Sequence, residues 1–543
     1  GIGHTRWATC GAPTERNAHP HVDCDSRIAL VHNGIIENHM ELRELLEEKG
    51  HRFSSETDTE TVAHLIESEV SGGSSLLEAT RSAIAMIDGS FALVVVDSAE
   101  PQKMVAARRD CPLIVGFGKD ENFVASDVVA LIEHTRDVAH MRDGQLVEVT
   151  PGSVFCIEED GSPSSLEHMD VSWDIAAAEK GGYDDFMMKE IHEQPTAIRE
   201  TLRGRSDKTG ALHLDELRIS DEELRDVDKV FIVACGSSFH AGLVAKYAIE
   251  HWTRLPVEID VASEFRYRDP VLDSSTLVVG ISQSGETADT LAAVRYARKQ
   301  KAKVIAITNV VGSSITREAD AVLYTHAGPE VGVAATKTLT TQMTALWLLA
   351  LWMAQTLGTR YPAETKELLD HLNRIPAQVE SVLVDTGAIV ALAEKYKQAT
   401  TFLFIGRGVG FPVAMEGALK MKEISYLHAE GFAAGEMKHG PIALLEDGVP
   451  VVGVATRSHV KAKMFSNMQE AKARGAEVIA LVCEDDDSAD ALFSHVIRVP
   501  ATPDLLSPAV DVVPLQLLAY HVAKKRGLDP DKPRNLAKSV TVE

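Results

Sequence analysis

The sequence predicts an α/β multidomain protein whose second half carries two doubly wound α/β domains in tandem. Three observations lead there. At 543 residues the chain exceeds the ~100–200 of one domain several-fold, so about three are expected. Short continuous apolar runs alternate with helical stretches, the pattern of parallel strands covered on both faces. In the second half these runs recur. Residues 230–236 are echoed at 402–408, 172 residues later, 277–280 at 451–453, and 303–306 at 477–480, 174 residues on.

The elements follow in order. Residues 27–32 and 90–97 are strands, rich in Val, Ile and Leu and bounded by polar turn residues. Residues 40–50 form a charged amphipathic helix closed by Gly50, and residues 59–69 another, with Asp58 placed to cap it. Asp143-Gly144 marks a hairpin turn. Residues 157–185 turn polar and Gly-rich, which predicts a linker. A helix over 186–193 follows and stops before Pro195. Beyond it, helices at 288–299 and 460–474 separate the repeated strands.

Composition excludes several classes. Lys plus Arg is 54 and Asp plus Glu 80, a net charge of −26, which argues against nonspecific binding to nucleic acid or anionic membrane. Solubility, or a high-salt habitat, accounts for such acidity. Hydrophobic content of 45% is too high for a disordered chain. The longest apolar run, 345–354, is ten residues, against the ~20 of a membrane span. Six cysteines (Cys10, Cys24, Cys111, Cys156, Cys235, Cys483) contain no Cys-x-x-Cys pair, so neither a disulfide framework nor a zinc site is expected. That and the absence of a signal peptide predict a cytoplasmic protein. The text opens at Gly1, inside what reads as a motif, so an N-terminal segment is expected to be missing.

The chemistry concentrates after one strand. Residues 277–280 run into Ile281-Ser282-Gln283-Ser284-Gly285-Glu286-Thr287 and then a helix, and the strand at 230–236 delivers Ser237 and Ser238 to the same edge. Ligands of open α/β sheets bind where strand carboxyl ends meet helix N-termini. Hydroxyls, an amide and free backbone N–H groups there make an anion cradle suited to phosphate, although Ser and Thr also serve simply as helix caps.

SQSGET after a strand, with CGSS on the preceding one, resembles the sugar-isomerase (SIS) phosphosugar-binding domain. The resemblance extends over the whole chain to the glutamine–fructose-6-phosphate aminotransferase (isomerising) family. It rests on HTRWAT (4–9), NAHPH (17–21), HNGIIEN (32–38), ETDTE (56–60), KEIHEQP (189–195), EFRYR (264–268), EGALKMKEISYLHAE (416–430), GEMKHGP (435–441) and PRNLAKSVTVE (533–543). It implies an N-terminal-nucleophile (Ntn) αββα glutaminase domain, here partial, over 1–153 and a linker at 154–217. SIS domains at 218–361 and 390–533 and a catalytic tail at 534–543 follow.

The implied activity is glutamine-dependent amination and isomerisation of fructose 6-phosphate to glucosamine 6-phosphate, with no metal or organic cofactor. On the glutamine side the resemblance assigns Arg6 to the α-carboxylate, Asp58 to the α-ammonium, Asn33 and Gly34 to the oxyanion hole, and Thr9 to the same pocket. The family's nucleophilic cysteine precedes Gly1 and Cys10 cannot replace it, so the chain as written is expected not to hydrolyse glutamine. Cys10 itself stands where the family commonly has His.

On the sugar side the resemblance implies that Ser237, Ser238, Ser282, Gln283, Ser284, Thr287, Val333 and Ala335 hold the phosphosugar, Ala335 standing where the family often has Ser, and it implies the following roles as well. Lys538 forms a Schiff base at C2, which needs a neutral amine and hence burial or nearby cations. Glu423 shuttles the C1–C2 proton, Lys420 assists, and His439 opens the ring from the partner subunit, which implies a homodimer or larger assembly. Trp7, Ala537 and Val540 line an ammonia channel. Two rival readings remain on the residues alone: an SIS isomerase or deaminase with a degenerate front domain, and a non-catalytic phosphosugar sensor.

Overall fold

The computed structural model of the chain describes residues 1–6, 10–170, 180–207, 209–214 and 216–541. It divides into two units. The first comprises Gly1–Ala178 with Glu286–Ala288 and Ser539–Glu543, the second Glu179–Gly285 with Asp289–Lys538.

In the first unit a seven-stranded antiparallel sheet runs in the order His21–Val22, Ile28–Ile36, Gly89–Asp97, Met104–Arg109, Gln145–Val149, Val154–Glu158, Pro163–Ser164. A four-stranded sheet orders His168–Asp170, Asp137–His140, Ile114–Phe117, Asn122–Ala125. Strand alternation decides which core each residue enters. Leu93, Val95, Val105 and Ala107 face the helices Thr59–Ser71 and Leu76–Ile84, while Val94 and Ala106 pack with Val115 of the other sheet and with Met141, just past its strand Asp137–His140. One helical layer and two β layers are thus stacked, three of the four layers of the expected αββα order.

Several local expectations are corrected here. The strand expected over 27–32 begins at Ile28 and continues through Asn33-Gly34 to Ile36. Gly34 has φ +134°, and a Cβ there would lie 2.1 Å from the Ser90 carbonyl oxygen. Asp143-Gly144 makes no hairpin, because the strands it joins belong to different sheets. The stretch expected as linker carries strand Val154–Glu158 and two short strands paired into both sheets. Asp58 does not cap its helix: its carboxylate accepts the backbone N–H of Ile36 at 2.9 Å.

The second unit holds two five-stranded parallel sheets of identical topology. One orders Val257–Val261, Lys229–Ala234, Thr276–Ile281, Lys303–Thr308, Ala321–Tyr324; the other orders His428–Ala433, Thr401–Gly406, Pro450–Val454, Glu477–Cys483, His495–Val499. Both strand orders follow the doubly wound pattern, with helices on both faces. The sheets share one core through the helices Gly236–Thr253, Lys337–Leu357, Gly410–Ser425 and Pro508–Lys525, and each keeps a separate outer core. The apolar run 345–354 lies buried inside Lys337–Leu357, and no single helix among the described residues is long and apolar enough to cross a membrane.

The helix expected to stop before Pro195 instead runs Phe186–Leu202. Proline leaves the carbonyl four residues back without its donor. Here the side chain of Gln194 donates to that Ile191 carbonyl at 3.0 Å, so the helix passes through.

Candidate active site

The amine of Lys538 is the natural starting point. It lies just beyond the last long helix, Pro508–Lys525, yet folds back against the loop that precedes Lys337–Leu357. Its Nζ donates to the Glu330 carboxylate in a short ion pair and to the Gly332 carbonyl at 2.8 Å. Burial or nearby cations were expected to keep this amine neutral; its charged neighbour is a carboxylate. Glu330 is fully buried and is fixed by the Thr336 and Thr338 backbone N–H groups at 3.0 and 3.1 Å and by the Thr338 hydroxyl at 2.7 Å. Burial alone would raise its pKa, but Lys538 and these donors outweigh that and hold it below the usual carboxylate range.

Glu190, on the helix Phe186–Leu202, supports the same loop. One of its oxygens accepts the Val331 and Gly332 N–H groups at 2.6 and 3.2 Å, while Oε2 is buried without a hydrogen-bond partner. Burial, reinforced by the charge of Glu330, pushes Glu190 up to about 7.

A second buried cluster stands on Gly410–Ser425. Lys420 and Glu423, three residues apart as anticipated, face each other with Nζ to Oε2 at 2.5 Å, and Glu416 lies 3.5 Å from the same amine. Burial tends to lower the Lys420 pKa, but Glu423 and Glu416 overcome it, with a further contribution from Glu330, so this lysine remains a cation. Glu416 also accepts the Ser237 hydroxyl at 2.9 Å and pairs with His240 Nδ1 at 2.7 Å. Ser237 and Ser238 occupy the first turn of Gly236–Thr253, where N–H groups lack intrahelical partners.

At the end of Thr276–Ile281 the chain turns tightly. The Ser282 hydroxyl accepts the Gly285 N–H at 3.0 Å, and the Gln283 carbonyl accepts Asn309 N–H at 3.1 Å. Gly285 has φ +69°, and a Cβ on it would come within 2.1 Å of the Ser313 hydroxyl. Ser284 belongs to this turn, whereas Thr287 lies in the segment counted with the first unit. Val333 and Ala335 sit in the loop of Glu330, Val333 N–H bonding the Asp531 carbonyl at 3.2 Å. His439 is exposed at the end of the 3-10 helix Ala434–His439.

In the first unit the Arg6 guanidinium bonds the carbonyls of Cys10, Gly11 and Ala12 at 2.7, 2.9 and 3.2 Å. The Asn33 side-chain amide approaches the Thr541 hydroxyl at 3.3 Å, and Val540 accepts the Ala288 N–H at 3.1 Å. Burial and Asp58 push the Cys10 thiol up, opposite to what a nucleophile needs. Trp7 and Thr9 lie outside the described residues. Ala537 and Val540 are exposed, so a dry lining is not visible at either.

Sequence reasoning missed Glu330, Glu190, Glu416 and His240. The signal was present: Glu190 and Glu416 sit inside two of the matching motifs, and Glu330 is three residues before Val333. As for metal ligands, Cys24, His51, His64 and Glu67 of the first unit bring donor atoms within 4.8 Å of one another.

Comparison with known proteins places this geometry. The glutamine amidotransferase domain profile matches residues 4–133, and the SIS domain profile matches 223–352 and again 395–525. These define the class: a glutamine amidotransferase joined to a tandem pair of SIS domains. A Streptomyces coelicolor glutamine–fructose-6-phosphate aminotransferase (isomerizing) is 55% identical over all of this chain and 89% of its own length. The Mycobacterium tuberculosis enzyme of that name is 53% identical with the same coverage. The chain belongs to the glutamine–fructose-6-phosphate aminotransferase (isomerizing) family. Among solved structures, the C-terminal domain of the Francisella tularensis aminotransferase matches with a TM-score of 0.62 and 40% identity, over 65% of this chain and 100% of that one. A Thermotoga maritima glucosamine-6-phosphate deaminase matches at 0.52 and 25%, over 66% of this chain and 100% of its own.

Proposed function

We propose that Lys538, Glu330, Lys420 and Glu423 carry the sugar chemistry of a glutamine-dependent fructose-6-phosphate aminotransferase. The enzyme converts fructose 6-phosphate and glutamine to glucosamine 6-phosphate and glutamate, at the entry to amino-sugar synthesis. The observation that carries the residue roles is the Lys538–Glu330 pair held on a loop whose every anchor is buried.

The phosphate sits in the turn of Ser282, Gln283 and Ser284, with Ser237, Ser238 and Thr287 adding hydroxyls and first-turn N–H groups. Val333 and Ala335 bring backbone from the Glu330 loop toward the sugar. His439, supplied by a partner subunit of a homodimer, opens the ring. Lys538 gives up its proton before it attacks the C2 carbonyl, and Glu330, bonded to that amine, is the group placed to take it once the arriving sugar loosens the ion pair. Water leaves to give the imine, and ammonia then replaces the lysine nitrogen at C2. Glu423 removes a proton from C1 and returns one to C2, while the Lys420 cation stabilises negative charge on the enolic oxygen.

On the glutamine side Arg6 forks the α-carboxylate, Asp58 pairs the α-ammonium, and Asn33 with Gly34 stabilises the oxyanion. Thr9 completes that pocket. Trp7, Ala537 and Val540 line the ammonia route. The division that goes with this reading is a glutaminase domain, a linker, SIS domains at 218–361 and 390–533, and a tail from 534. Six free cysteines fit a reducing cytoplasm.

Lys538→Met tests the reading. Amino-sugar formation should fall on the order of a thousandfold or more, while binding of fructose 6-phosphate persists. Unchanged turnover would remove the lysine from the mechanism.

A further inference from the structure

Four side chains far apart in sequence meet at one point in the first unit. Cys24 lies in the turn between His21–Val22 and Ile28–Ile36, His51 follows the helix His39–Glu48, and His64 and Glu67 stand three apart on Thr59–Ser71. Cys24 Sγ is 3.8 Å from His51 Nδ1 and 3.7 Å from His64 Nδ1. Glu67 Oε2 is 2.7 and 2.9 Å from those same nitrogens. Tetrahedral zinc, with bonds of about 2.3 Å to sulfur and 2.0–2.1 Å to nitrogen, separates its donors by roughly 3.3–3.6 Å. The sulfur contacts are already close to that, and the Glu67 oxygen needs to withdraw by only about half an ångström.

The outer contacts point the same way. His51 Nε2 meets the Ser68 hydroxyl at 2.9 Å, which leaves Nδ1 as the inward-facing nitrogen. His64 is fully buried, and its Nε2 has no hydrogen-bond partner but faces the Glu60 carboxylate at 3.8 Å. A neutral His64 that gave its Nδ1 proton to Glu67 would aim a lone pair at that carboxylate. With Nδ1 on a metal, Nε2 carries the proton and faces Glu60 as a donor, the carboxylate–histidine–metal arrangement. Glu60 is itself held by the Ser54 and Ser55 N–H groups, each at 2.6 Å. The Arg52 N–H approaches Cys24 Sγ at 3.5 Å, a contact that favours the thiolate.

From this convergence we infer that Cys24, His51, His64 and Glu67 form a structural zinc site. One thiolate and one carboxylate neutralise the dication, and a thiolate with two imidazoles selects zinc over the hard cations. All four positions are filled by protein, so the ion has no open site for chemistry. Its work is mechanical: it ties the hairpin turn and the segment after His39–Glu48 to the helix that begins beside Asp58. The exposed Cys24 provides the entry path.

The test uses the full chain, stripped with a chelator and then dialysed against micromolar zinc or cobalt(II). One zinc per chain is expected by elemental analysis, with a raised melting temperature. Cobalt should give a thiolate-to-metal charge-transfer band in the near ultraviolet and the strong visible bands of tetrahedral coordination. Cys24→Ser should abolish the charge-transfer band, and Cys10→Ser, whose thiol lies near His39 instead, should keep it. Glu60→Gln should weaken zinc affinity by ~10–100-fold. His51→Gln, on a less buried residue, should lower affinity at least as much and checks the result should Cys24→Ser fold poorly. Wild-type protein without stoichiometric zinc, or a charge-transfer band that survives Cys24→Ser, would overturn the site.

Discussion

The two parallel sheets of the second unit share strand order and register, but the turns at their strand ends serve different ends. After Thr276–Ile281 the turn presents Ser282, Gln283 and Ser284 around a Gly285 that only a residue without Cβ can occupy. After Pro450–Val454, the corresponding strand, Thr456 spends its hydroxyl on Asp511 at 2.8 Å, and Ser507 joins it at 2.7 Å. The second copy closes its turn with an internal carboxyl and contributes instead through its helix Gly410–Ser425, which carries Glu416, Lys420 and Glu423. Under the proposed roles the first copy supplies the phosphate turn and Glu330, and the second supplies the helix that carries Glu416, Lys420 and Glu423.

That division can be broken at several points. The largest effect is expected from Lys420→Met, which strands Glu416 and Glu423 without their buried cation. Chemical unfolding should show a loss of about 3–5 kcal/mol, and a loss under ~1 kcal/mol would mean that water already screens the cluster. Next, Ser282→Ala should raise the KM for fructose 6-phosphate by roughly ten- to a hundredfold, the value of one hydrogen bond to a charged group. Thr456→Val in the other copy should leave KM unchanged; equal effects from both would erase the distinction between the turns.

Asp511 sharpens the comparison through pH. Full burial pushes it up to about 7 from 3.8, so the folded protein holds a proton there that the unfolded chain has lost. Between these values stability falls as pH rises, by up to ~1.4 kcal/mol per unit. Asp511→Asn should flatten that slope in melting curves taken from pH 4 to 8. Glu190, raised for the same reason, acts with the same sign on the Lys538 side. Glu190→Gln keeps the acceptor for Val331 and Gly332 and should give the smallest change, a slightly flatter curve with turnover reduced only a few-fold.

Much of this fold could be read from the chain. The three central strands of each SIS sheet coincide with the apolar runs read from the sequence, because a strand buried on both faces leaves a continuous apolar pattern, while the two outer strands of each sheet were not read. Helix Ala288–Lys299 was read to its ends. The errors share a cause. Asp58 and Asp143-Gly144 were judged from local propensity, and each is governed by a distant partner: Ile36 N–H and a second sheet. The site divides the same way. That Lys420 and Glu423 share a helix face was legible from their spacing, whereas the roles given to them and to Lys538 came from the resemblance. Glu330 was legible in neither way, because only the fold brings residue 330 to residue 538. Cysteine spacing argued against zinc, since that rule looks for paired ligands and cannot see four donors drawn from residues 24, 51, 64 and 67.

Gln194 and Pro195 carry a consequence for how this sequence can drift. The glutamine amide fills the gap that the imino acid opens, and it also reaches Gln516 Oε1 at 2.8 Å on another helix. The glutamine is therefore not free to vary while the proline remains. Replacing the glutamine while proline remains strands a carbonyl in the interior, whereas restoring an ordinary amide at 195 relieves the glutamine of that duty. Substitution at 194 should be tolerated only once position 195 has regained its N–H, a one-sided epistasis written into one turn of helix.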